Sequence, residues 1–172
     1  TLSMTAANAV TASGTGSFEA TISNFETLKT GQMGAATSIN LANLDDINAV
    51  SSGGDDGSSR TMTITNAQEA FALTITAGTT ATHTVSFVDS SGASDSMAIK
   101  LSNSGSIAMG TVTANAVETI SINSDDTLPV VLGGTLSTHT MTLTSDAVKT
   151  ITVTGDAKLA LINTSTTLTS VD

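Results

Sequence analysis

The phrase Gly78-Thr79-Thr80-Ala81-Thr82-His83-Thr84-Val85-Ser86-Phe87 returns as Gly134-Thr135-Leu136-Ser137-Thr138-His139-Thr140-Met141-Thr142-Leu143, and both histidines of the chain lie inside it. A second pair overlaps the first. Thr61-Met62-Thr63-Ile64-Thr65 followed by Leu73-Thr74-Ile75-Thr76 reappears as Thr140-Met141-Thr142-Leu143-Thr144 followed by Ile151-Thr152-Val153-Thr154. A reused strand-turn-strand unit constrains the fold more than any other feature. One such unit cannot bury its apolar face alone, so copies stack, and the chain reads as a solenoid or tandem array.

Alternation of small polar and apolar residues inside these units has the period of half-buried strands. Thr and Ser make up 56 of 172 residues, and Thr with Val and Ile suits a pleated surface because β-branched side chains are stiff at χ1. The expectation is all-β: a β-solenoid-like stack of short strands of the parallel β-helix or β-roll type. After residue 140 strands recur roughly every ten residues with tiny loops, a rhythm that a tandem antiparallel β-sandwich shares.

The units Phe25-Glu26-Thr27-Leu28, Val117-Glu118-Thr119-Ile120 and Val148-Lys149-Thr150-Ile151 read as equivalent coil corners, with the charge outward and the apolar residues stacked inside. Asn66 to Ala72 is a weak candidate for one helical turn. Gly, Ser and Asp mark loops at 51–59, at 89–95 and at 124–127, and Pro129 marks an edge or bend. A sub-boundary, if the chain has one, falls near 51–59. The pattern is cut at Thr1 and at Asp172, so residues 1–172 read as a fragment of a larger repeat-built protein.

Fifteen Asp and Glu against Lys29, Arg60, Lys100, Lys149 and Lys158 leave a net charge of -10. Nucleic acid and anionic membrane surfaces are poor partners for such a chain, since both need clustered Lys and Arg. Without cysteine there is no disulfide framework, thiolate nucleophile or CxxC metal site. No stretch reaches the ~20 apolar residues of a membrane span, and no basic n-region precedes an apolar core.

Catalytic signatures are missing. There is no GxSxG elbow, no GxGxxG after a strand and no GxxxxGK[ST]. Carboxylate pairs at Asp45-Asp46, Asp55-Asp56 and Asp125-Asp126 are chain neighbours, which point to opposite faces when extended. Tyr and Trp, the usual sugar platforms, are absent. His83 shares a face with Val85 and Phe87, and His139 with Met141 and Leu143. The two read as matching repeat positions, and two imidazoles alone make a poor zinc site. The chain therefore reads as a non-enzyme. Calcium takes six to eight oxygens from Asp, backbone and water, so the loop carboxylates Asp55, Asp56, Asp125, Asp126, Asp89 and Asp95 are the candidate metal ligands.

The run Val117-Glu118-Thr119-Ile120-Ser121-Ile122, with Met141-Thr142-Leu143-Thr144, Val148 to Gly155, Leu168-Thr169-Ser170-Val171-Asp172 and Ser38 to Asp46, resembles the Thr/Ala-rich β-strand repeats of RTX-associated surface-layer proteins and adhesins of Gram-negative bacteria. The resemblance implies a calcium-stabilised segment exported by type I secretion through a C-terminal signal outside this chain. It also implies self-association into a two-dimensional lattice on the cell exterior, attached through other segments and without insertion into the membrane. The glycine-aspartate nonapeptides of that group are absent here, so its β-roll loops are expected in neighbouring segments. A stalk or matrix segment of a large secreted adhesin or biofilm protein is the second reading. A secreted β-helical polysaccharide-degrading enzyme is the third.

Overall fold

In a computed structural model, the strands run β1 (Leu2–Met4), β2 (Thr27–Thr30), β3 (Thr37–Asn40), β4 (Ala49–Ser52), β5 (Thr61–Ala67), β6 (Phe71–Ile75) and β7 (Thr79–Phe87). They continue as β8 (Ser96–Asn103), β9 (Ile107–Ala114), β10 (Thr119–Asp126), β11 (Thr138–Thr144), β12 (Thr150–Thr154), β13 (Lys158–Asn163) and β14 (Ser170–Val171). Among the described residues one helix, α1 (Ala6–Ser13), and one short 3-10 turn (Leu41–Asn43) accompany them. The structure describes residues 1–44, 46–128 and 135–172; Asp45, Pro129 and Gly134, all used in the sequence argument, lie outside the described residues.

Successive strands after β1 alternate between two sheets. The eight-stranded sheet has the order β1-β2-β4-β6-β8-β10-β12-β14, and the six-stranded sheet the order β13-β11-β9-β7-β5-β3. Every strand pair in both is parallel, which makes the fold a flattened β-solenoid and removes the antiparallel sandwich.

The core lies between the sheets. In the eight-stranded sheet Leu28, Val50, Leu73, Ile99, Ile122 and Val153 sit in one column, and Phe71, Met97, Ile120, Ile151 and Val171 in another. Leu28, Leu73, Ile120 and Ile122 are fully buried, each contributing about 1.5–3 kcal/mol. Phe71 closes on Phe87 edge to face, with centroids 6.5 Å apart.

Pairing also shows where identity of sequence misleads. Thr61 aligns by repeat with Thr140, yet its column runs through Thr82 and Thr111 to Thr142, one pleat further on. Thr119 and Ile120 do pair with Thr150 and Ile151, but Leu28 belongs to the Ile122 column, so only two of the three corner units are equivalent. A shift of two residues preserves the inward face and changes the column.

The expected helical turn at 66–72 is the end of β5, a turn and the start of β6. The helix forms instead at 6–13, where Thr5 caps it by accepting the Asn8 amide at 3.1 Å. It buries Ala6 and Ala9 and packs against β3, the terminal strand of the six-stranded sheet. Covering an edge strand in this way blocks further pairing there.

Candidate functional site

Asp55 is the most heavily bonded carboxylate. It sits in the corner after β4, 3% exposed, where its backbone bridges to Met33 of the previous coil. Oδ1 accepts the Thr79 hydroxyl at 2.9 Å and the Thr80 amide at 3.0 Å; Oδ2 accepts the Thr80 hydroxyl and the Arg60 amide, both at 3.0 Å. Burial alone would raise its pKa. The amides of Arg60 and Thr80 and the two hydroxyls outweigh that and hold the carboxyl well below its usual range. The loop at 51–59 is thereby stitched to the coils before and after it.

The other predicted ligands are spread over both corners of the solenoid. Asp56 forms a fork with Arg60 at 3.1 Å, and that partner holds its pKa down. Asp125 pairs with Lys100 at 2.9 Å. Asp126 accepts the Ser137 and Leu128 amides, and its own amide donates to Asp156 Oδ1 at 2.7 Å. Hydrogen bonds from Ser137 first, and then from Leu128, keep its carboxyl below the ordinary value. At the opposite corner Asp89 accepts the Ser91 hydroxyl at 2.7 Å, which lowers its pKa.

Asp89 and Asp95 are brought together. With Glu69, which the sequence argument had not singled out, they line a pocket of about 450 Å³ beside Gln68, Gly92 and Ser94. Asp95 Oδ2 is buried there without a hydrogen-bond partner among the described residues, while the Asp95 amide donates to Glu118 at 3.0 Å. These residues do not yet form a coordination shell. Among the described residues no group of three or more His, Cys, Asp or Glu is placed to hold a metal ion.

The histidines face inward, as alternation required, and both are fully buried. They are not stacked on each other: His83 pairs with Met62 and Val112, and His139 with Ile107 and Leu159. Each instead crosses the core to a serine. His83 Nε2 lies 2.9 Å from Ser52 Oγ, and His139 Nδ1 lies 3.0 Å from Ser124 Oγ. Ser52 and Ser124 belong to one column of the eight-stranded sheet, separated by Ile75 and Leu101. Residues spaced far apart in the chain thus converge on one line, which a single-strand reading cannot reveal.

Burial pushes the His83 pKa down to about 4, partly opposed by the Thr111 backbone and the charge of Asp55. The other ring nitrogens, His83 Nδ1 and His139 Nε2, make no well-formed hydrogen bond among the described residues. A Ser-His contact sealed in the core cannot meet a substrate, so these pairs are inter-sheet struts.

The chain matches no protein-family model and no curated protein sequence. Among the described residues no helix is long and apolar enough to cross a membrane.

Proposed function

We propose that this chain is a structural building block of a bacterial surface layer, assembling on the cell exterior and performing no catalysis of its own. The observation that carries this reading is the difference between the two ends of the stack. At one end α1 covers β3. At the other, β13 and β14 each pair on one side only among the described strands, as β1 does at the first end, and they expose Ile162 at 64% and Val171 at 59%. A parallel edge backed by apolar side chains is a template for further β-structure.

The calcium expected from the resemblance belongs to the same reading. Electron microscopy of the purified chain with millimolar calcium, and again after chelation, tests the proposal. Ordered sheets support it, and their dissolution by chelator assigns the ion to contacts between copies. Isolated rods under both conditions overturn it in favour of an adhesin stalk. Turnover of a polysaccharide would replace both with the enzyme reading.

A further inference from the structure

The outer face of the six-stranded sheet carries a two-dimensional hydroxyl array. Thr61, Thr82, Thr111 and Thr142 pair in register as one row. Thr63, Thr84, Thr113 and Thr144 form the second, headed by Ser38. Four coils therefore present the same Thr-x-Thr unit, although the intervening residue changes from Met62 to His83, Val112 and Leu143.

Strand geometry sets the dimensions. The threonine backbones repeat about 4.8 Å apart along each row, and the rows lie about 6.6 Å apart. A β-branched side chain held in a sheet has few χ1 states, so methyl and hydroxyl positions repeat with the backbone. Among the described residues none of the eight threonine hydroxyls is bonded to another protein group. They are free to bond water.

Charge is nearly excluded from this face. Among the described residues no carboxylate lies on a strand of this sheet, and the one cation there is Lys158 on the terminal β13. His83 and His139 point the other way. The opposite sheet differs, since its outer columns carry Lys29 and the Lys100–Asp125 ion pair. In a chain with net charge -10 a face whose one charge is Lys158, at its terminal strand, is a specific feature.

We propose that this face binds ice. Both repeats of the array lie within an ångström of oxygen spacings on the prism planes of hexagonal ice, so water bonded to the threonines continues the lattice. The threonine methyls fill the gaps between those waters without imposing a charged hydration shell. A neutral lattice and a regularly spaced threonine array without charge match in both charge and period. A second copy of the chain offers no such two-way match to free hydroxyls. The proposal stands independently of the surface-layer reading.

The test is nanolitre osmometry of the purified chain, together with uptake of the fluorescently labelled protein into a slowly growing ice hemisphere. The parent is expected to shape crystals, delay their growth below the melting point and enter the ice. Thr84→Lys and Thr113→Lys, at the centre of the array, should abolish all three while keeping the parent's circular dichroism. Ser121→Lys on the opposite sheet should retain them, and Thr113→Val keeps the shape of the site should the lysine variants fail to fold. Exclusion of the parent from ice overturns the proposal whatever the variants do. So does ice uptake that Thr84→Lys leaves intact, and adsorption to crystalline polysaccharide without ice binding reassigns the face.

Discussion

The imidazole of His83 reaches Ser52 across the core at 2.9 Å and joins the six-stranded sheet to the eight-stranded one. Ser52 Oγ also accepts the Gly54 amide at 3.2 Å, so the strut is anchored in the turn that leads to Asp55.

Protonating His83 should weaken the fold. Its folded pKa of about 4 lies below the ordinary 6.5, so the unfolded chain binds the proton more readily. The contribution is complete above pH 6.5 and is lost progressively as the pH falls toward 4, at a total cost of about 3 kcal/mol. Urea unfolding between pH 7 and 4 measures it, and His83→Leu should flatten that dependence.

Asp55 acts in a lower window. Its depressed pKa means that its stabilisation is present above the ordinary carboxyl value of 3.8 and is lost only as the pH falls below that value. Asp55→Ala leaves the donors of Thr79, Thr80 and Arg60 without their acceptor, at a cost of about 3 kcal/mol or more. Denaturation midpoints at pH 7 test this, and a parent-like Asp55→Ala would contradict the hub assignment.

Gly110 occupies a left-handed conformation, φ 73°, at the bulge where the β7–β9 and β9–β11 registers shift. A Cβ there would collide with the Ala81 carbonyl oxygen. Gly110→Ala should cost about 1–3 kcal/mol from backbone strain alone, with the collision adding to it. Thermal melting reads the loss directly.

Ile151 is fully buried in the column of Ile120 and Met97, whereas Val153 is only half-buried in the column of Ile122. Ile151→Asp should therefore unfold the last coils, because an unpaired carboxylate in the core costs several kcal/mol. Val153→Asp should be milder. Hydrogen exchange would locate the damage, and equal protection of β12–β14 in Ile151→Asp and the parent would refute the inward assignment.

The alternation in segments such as Thr61–Thr65 and Ile151–Thr154 determined by itself that the chain forms strands, which side chains face inward and that units stack. That much is local, because a pleat sends neighbouring residues to opposite faces whatever the partner strand. Column membership was decided only by the tertiary structure. Pairing can slip by two residues without turning a face over, so His83 and His139 share a motif and not a column, and Thr61 stands over Thr82 and Thr111 in the row that runs through Thr142 to Ile162. The same holds for α1, whose alanine-rich segment carries little apolar signal until β3 supplies a surface to bury it against. The hydroxyls of Thr63, Thr84, Thr113 and Thr144 were visible one by one in the sequence; coils of unequal length had to come into register before they became a lattice.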